Sequence, residues 1–163
     1  MVTIREASPE DFPAIWPIFR EVVQAGDTYP FSPHTSREEA YLLWMENKSG
    51  VYLAEKEGET VGTYYIKPNQ PPLGSHVANT GYMVKKEHRG QGIGRQLCSH
   101  SLEEAQKLGF VAIQLNLVVS TNEPALHLWK QMGFSVVGTL PLAFQHQHHG
   151  LVDAYLMYLL LKP

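Results

Sequence analysis

The stretch Val84-Lys-Lys-Glu-His-Arg-Gly-Gln-Gly-Ile-Gly-Arg-Gln-Leu97 contains the strongest local signal in this sequence. An apolar strand ends at Val84, three glycines follow between Gly90 and Gly94, and Leu97 marks the apolar side of a helix. Because glycine has no Cβ atom, consecutive main-chain N–H groups and the positive end of the helix can face an anion. A strand, a glycine loop and a helix in this order predict a pyrophosphate-binding site.

The spacing of the glycines excludes two common nucleotide-binding loops. Gly90, Gly92 and Gly94 form G-x-G-x-G, whereas the dinucleotide fingerprint needs G-x-G-x-x-G and an acidic residue after a second strand. A Walker loop ends in Gly-Lys-Ser/Thr, and here Arg95 follows Gly94. The pattern that remains is Arg-x-x-Gly-x-Gly, starting at Arg89. A turn with a helix cap is the alternative that needs no ligand.

The composition is that of an ordinary globular protein. Of 163 residues, 44% are hydrophobic and 18% are charged, which predicts one domain spanning residues 1–163. The net charge of −3 offers no basic surface to nucleic acid or an anionic membrane, and the N-terminus lacks the apolar core of a signal peptide. Cys98 is the only cysteine, so no disulfide can form within the chain. We expect a cytoplasmic protein with neither nucleic-acid nor membrane partners.

Periodicity and turn residues predict the element order β-α-α-β-β-β-α-β-α-β-β. Ser8 and Pro9 are typical of a helix start, and Ser36 with Glu39 forms a capping-box pattern before a second short helix. Apolar alternation predicts strands at about 2–7, 51–54, 61–66, 77–84, 111–119, 134–140 and 153–160. We therefore expect an α/β (α+β) domain with a mixed sheet.

Two loops contain residues that could serve a site. The stretch Asp27–Phe31 has two aromatic residues, and it would either form one wall of a substrate cleft or cover the core edge. His146, His148 and His149 lie in a loop expected between the last two strands. One flexible loop without a nearby carboxylate or cysteine does not build a closed coordination shell. We expect no metal, and we place this loop beside the substrate entrance or at a subunit contact.

A second motif follows the first after one helix and one strand. It is Asn122-Glu-Pro-Ala-Leu-His-Leu-Trp-Lys-Gln-Met-Gly-Phe134, in which an asparagine and an alanine lead a helix that ends in Gly-Phe. Together with the loop at Arg89, it resembles the two signatures of the GCN5-related N-acetyltransferase family, and the likeness covers nearly the whole chain. The resemblance implies a mixed, mostly antiparallel sheet that is splayed at its centre and flanked by about four helices.

The resemblance also implies acetyl-CoA as co-substrate, attacked directly by an amine. Main-chain N–H groups of the glycine loop would hold the pyrophosphate, with Arg89 organising the loop. Met83 and Val84 would pair with the pantetheine, and a main-chain N–H of their strand would stabilise the thioester oxyanion. The residues expected to bind the cofactor are Met83, Val84, Arg89, Gly90, Gln91, Gly92, Ile93, Gly94, Arg95, Asn122 and Trp129.

Within the family, the chain resembles the branch of a fungal azetidine-2-carboxylate N-acetyltransferase, which implies an amino acid or a proline analogue as substrate. The residues that support this are Asn79, Asn116 and Asn122, the candidate catalytic-site residues. Amides at Asn79 and Asn116 would face the central gap and orient an amino acid. An amide is no base, so proton removal falls to another group. The candidates, acting through water, are His76, Glu123, His127 and His146.

Trp129 departs from the family pattern, which often has at this position a tyrosine that protonates the departing thiolate. An indole N–H donates a hydrogen bond but is no useful acid, so Asn122, ordered water, Tyr82 or Tyr155 would compensate. The departure leaves open a CoA-binding sensor without catalysis, and an acetyltransferase for protein N-termini or lysines is a third alternative. A homodimer is also expected, since homodimers are common among proteins of this size.

Overall fold

The computed structural model of the protein describes residues 1–162 and has a seven-stranded sheet with helices on both faces. The strands are β1 (Val2–Glu6), β2 (Gly50–Lys56), β3 (Glu59–Pro68), β4 (Val77–Val84), β5 (Ala112–Val119), β6 (Ser135–His146) and β7 (Gly150–Leu160). The helices are α1 (Phe12–Ala25), α2 (Arg37–Trp44), α3 (Ile93–Lys107) and α4 (Glu123–Gln131). The strand order β1-β2-β3-β4-β5-β7-β6 confirms the predicted α+β fold with a mixed, mostly antiparallel sheet.

Local sequence signals determine where the first two helices begin and end. The Ser36 hydroxyl accepts a hydrogen bond from the Glu39 N–H, and the Glu39 carboxylate accepts one from the Ser36 N–H, which is the predicted capping box. Pro9 opens a short 3₁₀ turn rather than α1, which begins three residues later. Helix α1 ends at Ala25 and is capped by Gly26, whose φ of 63° is the left-handed conformation common after helices.

Each face of the sheet has its own hydrophobic core. Helices α3 and α4 pack on one face around Leu97, and α1 and α2 pack on the other around Phe19 and Trp44. Cys98 is fully buried in the first core, and burial raises the pKa of its thiol to about 12. The cysteine is therefore an apolar packing residue rather than a nucleophile.

Strands β4 and β5 are parallel neighbours that separate after a few residues. They share three paired positions, and the last of these joins Asn79 to Gln114. Beyond this pair both strands continue, to Val84 and Val119, without pairing to each other within the described chain. The sheet is therefore splayed at its centre, as predicted.

The predicted histidine-rich loop between the last two strands is wrong. Strand β6 continues to His146 and β7 begins at Gly150, so only a three-residue turn separates them. A bulge allows β6 to continue, because Leu142 adopts a φ of 53° and its N–H donates to the Asp153 carboxylate at 2.9 Å. The polar residues near the turn belong to a long hairpin.

None of the helices formed by residues 1–162 combines the length and the apolarity that are needed to cross a membrane. One sheet contains every strand of the described chain. The assignment of residues 1–163 to a single domain stays a prediction.

Candidate active site

A cleft of about 720 Å³ lies where β4 and β5 diverge. Its walls come from both strands, the loop between α1 and α2, the glycine loop (Arg89–Gly94) and α4. The predicted site residues that line it are Asn79, Met83, Val84, Arg89, Gly90, Gly92, Ile93, Gly94, Arg95, Asn116, Asn122 and Trp129. Gln91 is outside this lining, and its side-chain oxygen accepts a hydrogen bond from Lys56 at 3.0 Å. One cavity thus brings together the three asparagines and all the predicted cofactor-binding residues except Gln91.

The main-chain N–H groups from Gly90 to Arg95 have no protein acceptor within residues 1–162, and the first helical bond of this region runs from the Gln96 N–H to Gly92. Gly90 and Gly92 have φ values of 76° and 80°, a curvature that residues with a Cβ rarely adopt. Unpaired donors that converge at a helix N-terminus form an anion site. The geometry therefore suits the predicted pyrophosphate.

Gly94 has a different role in the same loop. A Cβ atom at this position would lie 3.3 Å from the Leu128 side chain of α4, so the missing side chain lets α3 and α4 approach closely.

Arg89 and Arg95 also line the cleft, and neither forms an ion pair with a carboxylate of residues 1–162. The guanidinium of Arg95 bonds to the Gln131 side chain. Two cations therefore stand beside the unpaired N–H groups.

Main-chain groups of β4 point alternately toward β3 and toward the cleft. The Lys85 N–H donates to Val61 at 2.8 Å, so Lys85 and, two residues earlier, Met83 face β3. The main-chain groups of Tyr82 and Val84 therefore face the cleft. The structure contradicts the expectation that Met83 pairs with pantetheine through its main chain, because β3 uses those groups. The main-chain groups that face the cleft beside those of Val84 belong to Tyr82.

The hydroxyl of Tyr29 is hydrogen-bonded to both the main-chain N–H and the carbonyl oxygen of Tyr82. Its oxygen lies 2.6 Å from the Tyr82 nitrogen and 2.7 Å from the Tyr82 carbonyl oxygen, so it accepts one hydrogen bond and donates the other. Burial raises the pKa of Tyr29 above its ordinary value, which keeps the phenol protonated. The Asp27–Phe31 stretch thus forms one wall of the cleft, and its Tyr29 and Phe31 also pack against the core, so both alternatives given by the sequence hold.

Asn79 joins three strands where β4 and β5 separate. Its amide donates to the Gln114 carbonyl at 3.1 Å, and its oxygen accepts from the Tyr65 hydroxyl at 3.0 Å. The side chain is 5% exposed, and each half of the amide keeps one further hydrogen-bonding position. Asn116 is exposed and donates to Asn69 at 2.7 Å. Both predicted asparagines therefore line the cleft in fixed orientations.

Asn122 caps α4, because its side-chain oxygen accepts a main-chain N–H from that helix at 3.4 Å, and its NH2 group has no acceptor among residues 1–162. Trp129 packs on Tyr82, with 4.8 Å between ring centroids. The Tyr82 hydroxyl contacts Ser101 at 2.6 Å, and burial raises its pKa well above the ordinary value. Tyr82 is therefore unsuited to protonate a thiolate, and Tyr155 lies outside the cleft lining. Of the predicted side-chain alternatives, Tyr82 and Asn122 line the cleft, and the Tyr82 hydroxyl is already bonded to Ser101.

The four predicted bases do not line the cleft. They are His76, Glu123, His127 and His146; the first three are exposed. His146 is buried, and its Nδ1 accepts the main-chain N–H of His148 at 3.0 Å. The role of a base for these four residues stays a prediction that their positions do not support.

Three titratable residues of the cleft were missed by the sequence analysis. Asp27 supplies the carboxylate of the lining, His88 the imidazole and Lys67 an ammonium, among residues 1–162. His88 contacts Glu59 at 3.3 Å and directly precedes the glycine loop, whereas Asp27 belongs to the loop between α1 and α2. The position of Asp27 directly after Gly26, the residue that caps α1, could have marked it as a loop residue near the site. No local sequence pattern distinguished Lys67 from other surface lysines.

A second cluster of titratable groups lies beside the glycine loop. Glu59, Glu87 and His88 come close enough to share one ion. The ammonium of Lys85 bonds to Glu59 and lies 3.2 Å from Glu87. The cluster is therefore an ion-pair network with its own cation.

Comparison with known proteins decides the family, since residues 9–134 match the family model described as acetyltransferase (GNAT) family. The chain belongs to the GNAT family. N-acetyltransferase aca1 of Schizosaccharomyces pombe is 33% identical over 152 residues, which cover 82% of this chain and 72% of that protein. L-amino acid N-acetyltransferase AaaT of Escherichia coli is 29% identical over 162 residues, 96% of each chain. A solved GNAT structure from Kribbella flavida is 41% identical with a TM-score of 0.93, covering 98% of both chains.

Membership in the GNAT family confirms the predicted fold and the predicted enzyme class, an acyltransferase. The relatives do not confirm azetidine-2-carboxylate as the substrate. That assignment, like the role of each site residue, stays a prediction for this GNAT chain.

Proposed function

We propose that the protein transfers the acetyl group of acetyl-CoA to the amine of a small molecule, an amino acid or a proline-like analogue. One observation carries this proposal. A single cleft connects the unpaired N–H groups of the glycine loop to the gap beside Asn79. Such a cleft suits a carrier with a diphosphate at one end and a thioester at the other.

The residues would hold acetyl-CoA in two places. The N–H groups of Gly90–Arg95, with the guanidinium of Arg89 beside them, would bind the diphosphate. The main-chain groups of Tyr82 and Val84 would pair with the pantetheine arm. With the Tyr29 hydroxyl displaced, the Tyr82 N–H would donate to the thioester oxygen as negative charge develops there.

The reaction forms a C–N bond and breaks a C–S bond. The amine lone pair attacks the carbonyl carbon, and the thiolate leaves with the electrons of the C–S bond. An amine with a pKa near 10.4 is neutral in about one molecule in 2,500 at pH 7, equivalent to ~4.6 kcal/mol, so removing its proton matters. Asp27 is the carboxylate among the described residues that line the cleft, and it would accept this proton through water. The NH2 group of Asn122 and the Trp129 indole would donate to the thiolate.

A relative and the chemistry of the cleft support an amino acid as substrate. AaaT is named an L-amino acid N-acetyltransferase. The amides of Asn79 and Asn116 can both donate to a carboxylate and accept from an ammonium. A cytoplasmic location and a homodimer stay predictions.

The test is an assay of the purified protein with acetyl-CoA and a panel of amino acids that includes proline and azetidine-2-carboxylate. Free thiol and the mass of the product are followed together. We expect thiol release above background with at least one amino acid. Saturable acetyl-CoA binding without release on any amine would contradict the proposal and favour a CoA-binding sensor. Activity restricted to peptide N-termini or lysines would favour a protein acetyltransferase.

A further inference from the structure

Two ammonium groups lie near the ring of Tyr65 at the end of the cleft formed by β3. The Nζ atom of Lys48 lies 5.0 Å from the ring centroid, and that of Lys67 lies 5.9 Å from it. Lys67 lines the cleft and Lys48 does not. Lys48 donates to the main-chain oxygen of Glu46 at 2.8 Å, and neither lysine forms an ion pair with a carboxylate of residues 1–162.

The strand register places Lys67 directly opposite Asn79 in the antiparallel β3–β4 pair. Residues that are directly opposite in such a pair project from the same face of the sheet. Tyr65, two residues before Lys67, projects from that face as well, and its hydroxyl donates to Asn79 at 3.0 Å. The ammonium of Lys67 and the amide of Asn79 therefore lie beside the same part of the cleft. The Asn79 amide keeps one donor position for a ligand.

The charged form of Lys48 is destabilised where it lies. Burial and, next, the charge of Lys67 together lower the pKa of Lys48 to about 8, against a smaller opposing effect of Glu46. The contact of Lys67 with the ring lies at the outer limit of about 6 Å for cation–π attraction, so it offsets little of this repulsion. An anion bound between the two lysines would stabilise their positive charges instead.

We propose that Lys67, with the amide of Asn79 and the charge of Lys48, binds the carboxylate of the amino-acid substrate and sets specificity for free amino acids over their carboxamides. This inference rests on the proposed function. Asp27, in the same cleft, has the opposite charge and suits the substrate ammonium. The cleft thus offers a cation and an anion to a zwitterion, and a substrate held by its carboxylate keeps its amine available for the thioester.

The experiment measures kcat/KM for amino acids and for their carboxamides in the wild type and in Lys67→Met. Methionine keeps an unbranched apolar side chain beside Tyr65 and removes the charge. We expect the wild type to prefer acids over amides by about tenfold or more. In Lys67→Met, kcat/KM for acids should fall about 10- to 100-fold, the range for one charged hydrogen bond. The value for amides should change less than about threefold.

Two further variants make the result decisive. Lys67→Glu should lower kcat/KM for acids more than Lys67→Met does and should leave kcat/KM for amides nearly unchanged. If one of these two variants is too unstable to assay, the other still tests the proposal. Lys107→Met removes a positive charge at the end of α3, outside the cleft lining, and should leave the acid-to-amide ratio unchanged.

Two outcomes would overturn the carboxylate site alone: equal wild-type rates on acids and amides, or equal losses for both in Lys67→Met. Transfer to neither class by the wild type would instead remove the proposed function, and the carboxylate site with it.

Discussion

The hydroxyl of Tyr29 fills both main-chain positions of Tyr82 that a thioester carrier would need. In Tyr29→Phe, these positions would be open to the ligand. A net hydrogen bond is worth about 0.5–1.5 kcal/mol, so the acetyl-CoA Kd should fall by roughly 2- to 10-fold. Isothermal titration calorimetry measures this change. Tyr41→Phe, which removes a hydroxyl outside the cleft lining, is the control. An unchanged or weaker affinity in Tyr29→Phe would show that the ligand does not replace this hydroxyl.

Asp27 is the residue on which proton removal depends if the proposed reaction is correct. Asp27→Asn keeps the shape of the side chain and removes the base, so kcat/KM at pH 7 should fall by about 10²- to 10⁴-fold. The deficit should shrink as pH rises toward the pKa of the amine, because a neutral amine needs no base. A pH–rate profile of both enzymes tests this. Glu103→Gln, on the exposed side of α3, should behave as the wild type, and a pH-independent deficit in Asp27→Asn would count against a base.

At the scale of elements, the glycine loop allows a matched comparison. Gly92 and Gly58 have nearly equal φ values of 80° and 79°, and neither would place a Cβ within 4 Å of another atom. An aspartate at either position should cost about 1–2 kcal/mol of stability, because a side chain strains this conformation. Only Gly92→Asp places a negative charge beside the unpaired N–H groups, so it alone should weaken acetyl-CoA binding, by roughly 100-fold or more. Equal affinities for both variants would exclude this loop as the diphosphate site.

The helices were predicted well from sequence because their signals are local. The capping box of α2 and the Gly26 stop of α1 involve residues only a few positions apart. The end of β6 was missed because its continuation depends on a bulge that Asp153 stabilises from the neighbouring strand, through the N–H of Leu142. The alternation of apolar residues along one strand gives no information about a contact with a neighbouring strand.

At the scale of the whole molecule, the splayed centre of the sheet should make stability depend on the ligand. β4 and β5 have three paired positions, and a carrier bound in the gap would add contacts that the unfolded chain lacks. At a concentration of 100 times Kd, binding adds about 2.7 kcal/mol, which corresponds to a rise in Tm of roughly 5–10 °C for a chain of this size. Differential scanning fluorimetry measures the shift. Gly92→Asp should show little shift, and a similar shift in both proteins would place the ligand elsewhere.

The site was predictable from sequence where its residues form a continuous pattern, or where the family resemblance supplied them, as it did for Asn79 and Asn116. The Arg89–Gly94 loop and the Asn122 cap were found because their patterns are continuous. Lys67 required the β3–β4 register, and the contact of Tyr29 with Tyr82 joins residues that are 53 positions apart. Such tertiary placements have no local pattern.

We expect the N–H groups from Gly90 to Arg95 to bind the diphosphate of acetyl-CoA while Tyr82 and Val84 bind its pantetheine. An amide NMR titration of the protein with acetyl-CoA tests it most directly. The account predicts that the resonances of these residues shift most and saturate together with the calorimetric Kd. Saturable binding that leaves these amides unshifted, and shifts residues away from the cleft instead, would contradict it.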